Sequence, residues 1–127
     1  KDFNYFNQLQ NAKNYLKRNK LLWNAIDKKI NKFDKNKPVY IYGAGFHGSQ
    51  LLNYTNIEKK FKIIGFLDSS KSKHNQLIGN YKIFSPRDKK LNFKSNVIIS
   101  SIYSETNIHK SLSFLRKKGI RTYRLYE

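Results

Sequence analysis

Val39-Tyr40-Ile41-Tyr42-Gly43-Ala44-Gly45-Phe46-His47-Gly48 is the stretch on which the reading of this 127-residue chain turns. Its first four residues are β-branched or aromatic, the composition of a short buried strand. The rest is G-x-G-x-x-G, and Ser49 to Tyr54 predict a helix directly after it. Each glycine has its own task in such a strand–loop–helix turn. Gly43 permits the tight exit from the strand, Gly45 lets a phosphate approach the backbone, and Gly48 lets the helix lie close on the strand. The free N–H groups of the first helical turn, with the macrodipole behind them, favour an anion. Asp68 follows Gly48 by 20 residues and ends a second apolar run, Ile63-Ile64-Gly65-Phe66-Leu67. That is the spacing at which an acid meets the hydroxyls of a ribose. The motif therefore points to a nucleotide, with Gly43, Ala44, Gly45, Phe46, His47 and Gly48 at the diphosphate and Asp68 at the ribose.

Downstream of the loop, strands and helices alternate. Tyr81-Lys82-Ile83-Phe84 predicts a third strand entered through a Gly79-Asn80 turn. Val97-Ile98-Ile99 predicts a fourth, ending in Ser100-Ser101, and Arg121 to Leu125 a fifth. Ser85-Pro86-Arg87-Asp88 has the form of a helix start, with Ser as N-cap, Pro at the first helical position and an acid in the first turn. Ile108, Leu112 and Leu115 give the apolar face of a later helix that closes on Lys117-Lys118-Gly119. This alternation implies right-handed crossovers and a small α/β fold, a doubly wound, mainly parallel five-stranded Rossmann-like sheet. Upstream, residues 3–34 read as helix. Leu22, Ile26, Ile30 and Phe33 form an apolar stripe beside Trp23, Phe6, Leu9 and Leu16 extend it weakly, and Asn19-Lys20 is a candidate break. Pro38 does not belong inside a helix, so Asp34 to Pro38 is a connector. The expected division is a helical extension over 1–37 and a nucleotide-binding domain over 38–127. The stripe on the extension covers either the sheet or a second copy of the chain, which makes a homo-oligomer an expectation.

Composition narrows the other classes. The net charge is +18, which raises the question of nucleic acid. The cations are spread out, however, with ten Lys/Arg in residues 1–37 and sixteen in 38–127, and no nucleic-acid motif accompanies them. The expectation is a solvated basic surface, non-specific toward nucleic acid, whose field also draws phosphate-bearing small molecules. The chain has no Cys, which excludes disulfides and thiolate metal sites. His47, His74 and His109 are scattered, so no metal site is expected. Lys1 to Lys20 is too polar for a signal peptide, and no run approaches the roughly 20 apolar residues that span a bilayer. A cytoplasmic protein is expected. The chain also has no Met, so Lys1 reads as the start of a fragment whose catalytic domain lies elsewhere.

The ends of the strands supply the remaining candidates. In open α/β sheets, ligands sit beyond the carboxyl ends of the strands, near the topological switch point. Ser69, Ser70 and Lys71 after the second strand are placed to meet a base or a second phosphate. Ser100, Ser101 and Tyr103 after the fourth are placed on the ligand's far side. His47 either reaches a phosphate, acts as a base or faces solvent. His74 and His109 read as surface residues, and Glu105 as a helix start. Spacing yields no Ser-His-Asp set and no close carboxylate pair, so catalytic residues stay unassigned. Competing motifs fail on single residues. A P-loop needs Lys and Ser/Thr after its last glycine, whereas Ser49-Gln50 follows Gly48. Methyltransferases that use S-adenosylmethionine carry an acid two residues before the first glycine, where this chain has Ile41. No Tyr has a Lys four residues on, as a short-chain dehydrogenase needs.

Several short features recur in a definite order. They are Val39 to Gly45 with Gly48, Ile64 to Asp68, Ile78-Gly79 leading into Tyr81-Lys82-Ile83, Ser85-Pro86, Val97 to Ser101, and a helix ending Lys118-Gly119-Ile120. Over about 90 of 127 residues this order resembles Rossmann-like modules of bacterial carbohydrate-modifying proteins. Those include the N-terminal domains of sugar-nucleotide acetyltransferases, the C-terminal domain of sugar C-methyltransferases, and domains accompanying FkbM-type methyltransferases and glycosyltransferases. In the acetyltransferase group the module holds the nucleotide-sugar substrate. Such modules commonly carry a second acid after Asp68, where this chain has Ser69. Neither hexapeptide repeats nor a methyltransferase motif is present. The resemblance implies a nucleotide or nucleotide-sugar binding domain in surface-polysaccharide biosynthesis, attached to or partnered by a transferase. An NAD(P)-dependent oxidoreductase fragment is the alternative, and a basic nucleic-acid-binding module the third reading.

Overall fold

The computed structural model describes residues 2–127 and, within residues 1–20, the side chains of 5–11, 13, 14 and 18–20. β1 (Val39–Tyr42) is buried along its whole length. It pairs in parallel with β2 (Ile63–Leu67) on one side and β5 (Asn96–Ile99) on the other. β4 (Tyr81–Phe84) lies parallel outside β2, and β6 (Thr122–Arg124) parallel outside β5. β3 (Leu77–Ile78) folds back antiparallel on β4 through the Gly79-Asn80 turn. The order is β3-β4-β2-β1-β5-β6. The sheet is thus the parallel, doubly wound one expected, with a sixth strand of two residues, too short to carry a periodic signal. The chain winds outward from β1 through β2 to β4 and then returns to β5, so the switch point lies between β1 and β5.

Alternation along β1 separates two apolar layers. Val39 and Ile41 join Phe66, Ile83 and Ile98 under α1 (Asp2–Asn31), α2 (Phe46–Tyr54) and α3 (Ile57–Lys60). Tyr40 and Tyr42 join Leu67, Val97 and Ile99 on the opposite face, under α4 (Glu105–Ser111) and α5 (Ser113–Arg116). α1 contributes Trp23, Ile26 and Ile30 to the first layer, and Phe33 joins them from the turn after it.

Three expectations are corrected. α1 runs unbroken through Asn19-Lys20. Its buried stripe begins at Trp23, whereas Leu22 is 39% exposed. Both positions fit a helical stripe with Ile26, and the larger indole surface gains more from burial. Phe6 and Leu9 are exposed, and the Leu16 side chain lies outside the described residues. Finally, Ser85 to Asp88 starts no helix. Ser85 Oγ accepts from the Arg87 N–H, Asp88 Oδ1 from Lys90 and Asn92 Oδ1 from Lys94, so the segment runs to β5 as successive turns. Side chains that cap helices also close turns by the same bond.

Candidate functional site

The carboxyl ends of β1, β2 and β5 open into a cleft of about 540 Å³. One wall is Gly43, Gly45, Phe46 and His47, a second is Asp68, Ser69 and Lys73, and a third is Ser100, Ser101 and Tyr103. Nine of the residues singled out from sequence therefore face one space. Ala44, Gly48 and Ser70 stand behind it. Phe46 and Tyr103 are 77% and 96% exposed at its mouth, an unusual position for two aromatic rings.

The three loop glycines differ physically. Gly43 has φ +117°, and a Cβ there would stand 2.5 Å from the Ser100 carbonyl oxygen. A Cβ on Gly48 would meet the Gly43 carbonyl oxygen at 2.6 Å and the Phe66 ring at 2.9 Å. Gly45 is ordinary extended backbone, φ −116° and ψ −158°. Among the described residues, no atom lies within 4 Å of where its Cβ would be, apart from its chain neighbours. Gly45 is also the N-cap of α2, and no described side chain caps that turn. The N–H groups of the first turn are thus left for something else.

Asp68 ties two walls together. Its Oδ2 accepts from the Ala44 N–H at 2.9 Å and its Oδ1 from the Ser70 N–H at 2.8 Å. Lys73 Nζ lies 3.8 Å from Oδ2. A carboxylate offers about four lone-pair sites, so capacity remains for a hydroxyl from the cleft. Lys73 escapes sequence reading because a lysine in a polar loop normally points to solvent. The short 3-10 turn Lys71–Lys73 carries it back over Asp68. His74 does not stand free at the surface, because its Nε2 lies 2.7 Å from the Asp68 carbonyl oxygen and is partly buried.

His47 lines the cleft half-buried, with both ring nitrogens engaged, and does not stand free in solvent. Its Nδ1 lies 2.5 Å from Ser100 Oγ and its Nε2 2.6 Å from the Tyr126 hydroxyl. Its ring sits 5.3 Å from that of Trp23 and 5.6 Å from that of Tyr126. Burial pushes the imidazole below its ordinary 6.5, against the opposing pull of Glu105. Burial, then the Glu105 charge, pushes the Tyr126 phenol up to about 12. Glu105 does start α4, but it does more. Only 3% exposed, it accepts from the Leu125 N–H at 2.7 Å, the Tyr126 N–H at 2.9 Å and Arg124 Nε at 3.1 Å. That grip fixes the end of the chain against the glycine loop. Tyr126 lies 79 residues from His47 and 21 from Glu105, and no local spacing announces either contact.

Comparison with known proteins adds a family and a fold. Residues 35–124 match the family model described as C2185-like, N-terminal. No curated protein matches the chain. UDP-D-quinovosamine 4-dehydrogenase from Vibrio fischeri is similar in structure, with a TM-score of 0.52 and 29% identity over 69% of this chain and 76% of that one. RSP in complex with β-NADH has a TM-score of 0.54 and 23% identity over 76% of this chain and 48% of its own. RSP described as a Rex-family repressor has a TM-score of 0.54 and 21% identity over 74% and 48%. The chain spans about half the length of the RSP chains, and at these identities they show the shared Rossmann-like fold alone. Among the described residues, no helix is long and apolar enough to cross a membrane.

Proposed function

The chain belongs to the C2185-like N-terminal family, and we propose that its task is to hold a nucleotide, specifically a nucleotide-sugar, by the diphosphate. Gly45 carries this reading. Its backbone conformation suits any residue and its Cβ would meet nothing described, so beyond a modest N-cap preference folding gives no reason for a glycine there. A phosphate seated on the α2 N-terminus gives one. In this reading Gly43 to Gly48 hold the diphosphate and Asp68 takes the ribose. Ser69 and Ser70 border it, Lys73 adds a cation, and Ser100, Ser101 and Tyr103 close the far side.

The name of the 29% identical neighbour, a UDP-sugar 4-dehydrogenase, favours a UDP-sugar over other nucleotides. Residues 38–127 act as the binding unit, with 1–37 as its helical extension. The setting is surface-polysaccharide or sugar-nucleotide biosynthesis, the chain serving as the substrate-holding part of a larger transferase. The dehydrogenase in the same neighbour's name favours one second reading, an NAD(P)-dependent oxidoreductase fragment.

Calorimetry and thermal shift against UDP-sugars, CDP-sugars and NAD+ test the proposal. A ligand at 100 times its Kd raises stability by about 2.7 kcal/mol. The expected result is stabilisation of the wild type by at least one UDP-sugar. Gly45→Val should melt near the wild type yet show no ligand-induced shift. Stabilisation by NAD+ alone selects the second reading, and none by any of them at millimolar concentration overturns both.

A further inference from the structure

We propose that Tyr126 is a positioning residue of the cleft: its hydroxyl holds His47 as the Nδ1–H tautomer, which leaves the Ser100 hydroxyl proton free for an anionic group of the ligand. The identity of that acceptor rests on the nucleotide reading, whereas the tautomer does not.

The inference begins with proton counting. The His47 ring, in the first turn of α2, has a hydroxyl at each nitrogen, Ser100 Oγ at 2.5 Å and Tyr126 Oη at 2.6 Å. A neutral imidazole donates from one nitrogen and accepts at the other. Burial keeps this ring neutral near pH 7. One hydroxyl must therefore donate to the ring and the other accept from it, keeping its own proton for a different partner. Among the described residues, His47 is the sole hydrogen-bond partner of both hydroxyls. If Ser100 donated to Nδ1, the spare proton would sit on Tyr126, which does not line the cleft. That would put the spare proton where nothing bound in the cleft could accept it. If Tyr126 donates to Nε2, the spare proton sits on Ser100, which does line the cleft. The phenol is also the more acidic hydroxyl and the better donor.

The surroundings keep the relay in place. Glu105 on α4 accepts from the backbone N–H groups of Leu125 and Tyr126, so the phenol arrives at one height. Trp23 of α1 covers the imidazole. Ser100 is anchored by its own N–H, which donates to the Tyr42 carbonyl at 2.8 Å. Tyr126 thus acts on the cleft through two hydrogen bonds, without reaching into it.

Nitrogen-15 NMR of the histidine rings at pH 7.5, on the full chain, reads the tautomer directly and needs no ligand. The wild type should show His47 protonated at Nδ1 and bare at Nε2. Tyr126→Phe removes the hydroxyl and keeps the ring, and should populate the Nε2–H form. Ser100→Ala should leave the wild-type tautomer in place. A wild-type ring protonated at Nε2, or a ring unchanged by Tyr126→Phe, overturns the proposal. UDP is the probe for the second arm. Tyr126→Phe and Ser100→Ala should each weaken it by about three- to tenfold, the loss of one hydrogen bond. The double variant should be no weaker than Ser100→Ala, because both remove the same donor. Losses that multiply in the double variant overturn the coupling. Failure of the wild type to bind UDP, with the tautomers behaving as stated, overturns the nucleotide reading and leaves the positioning role of Tyr126 standing.

Discussion

At Gly43 and Gly48 a methyl group would run into the protein itself, on backbone oxygens at 2.5 and 2.6 Å, while at Gly45 it would stand in open space. The two kinds of position share one loop and one motif, yet different constraints hold them. The first kind is explained by the fold alone, since the β1–α2 crossover cannot close around a larger residue. The second is not. The same contrast divides the walls of the cleft. On the Asp68 side the chain satisfies itself, through Ala44, Ser70 and Lys73. On the other side Tyr103 is almost wholly exposed. Where packing leaves a residue unexplained, the constraint is sought outside the chain.

The contrast is broken most forcefully at Gly43. Gly43→Ala combines a left-handed φ of +117° with a collision on the Ser100 carbonyl. Strain of about 1–3 kcal/mol and overpacking of about 1–3 kcal/mol should together cost several kcal/mol in urea unfolding. Gly48→Ala lacks the φ component and should lose about 1–3 kcal/mol. If either variant unfolds at the wild-type midpoint, these glycines are not held by packing and the distinction from Gly45 fails.

Asp68 comes next. Asp68→Asn keeps the shape but turns an NH2 toward either the Ala44 or the Ser70 N–H, two donors face to face. Stability should fall by about 1–2 kcal/mol, the cost of one unsatisfied partner. Affinity of the folded protein for a UDP-sugar should fall by about 1–3 kcal/mol. Loss of stability with unchanged affinity would make Asp68 purely a clasp between the two loops, and the ribose contact would have to be sought elsewhere.

These residues also show how far the sequence could be read. The strand, the glycine loop and Asp68 lie within 30 residues, and their spacing alone reports geometry because strand, turn and helix have fixed dimensions. The alternation of apolar segments gave the parallel sheet for the same reason, and the strand ends then gathered Ser69, Ser100, Ser101 and Tyr103 around one cleft. Lys73, Glu105 and Tyr126 were not legible. Lys73 depends on how one polar turn folds back, Glu105 on contacts some 20 residues away, and Tyr126 on one 79 residues away. His47 was visible as a loop residue, but its two hydroxyl partners come from just beyond β5 and from beyond β6. Turn-forming side chains deceive in the opposite way, as Ser85 to Asp88 demonstrates.

A smaller effect is the pH dependence that His47 should impose. Its folded pKa lies below the 6.5 of the unfolded chain, because burial disfavours the charged ring. On acidification the unfolded state takes up the proton first, so stability should be level above pH 6.5 and decline as pH falls below it. His109 is lowered as well, also by burial first, and contributes with the same sign. Melting temperatures between pH 7.5 and 5.5 should therefore fall for the wild type and fall less, though still measurably, for His47→Gln. An identical slope in the variant would mean that the ring between Ser100 and Tyr126 is not held neutral.

The smallest expected change in stability is the most informative about function. Gly45→Ala places a methyl group where no described atom lies within 4 Å, on backbone that alanine adopts freely. Two opposing effects remain. Alanine is a poorer N-cap than glycine, at a cost somewhat below the about 0.5–2 kcal/mol of losing a side-chain cap. Replacing glycine also restricts the unfolded chain, which stabilises by about 0.4–1 kcal/mol. The net change in urea unfolding should lie within about 1 kcal/mol of zero, well short of Gly43→Ala. Affinity should behave in the opposite order. A single methyl group at the point of phosphate approach should weaken a UDP-sugar at least tenfold in calorimetry, since the phosphate must retreat from the α2 N–H groups by the width of that group. A variant as stable as the wild type that also binds as well would show that nothing approaches Gly45 closely, and the cleft would then have to hold its ligand without the glycine loop.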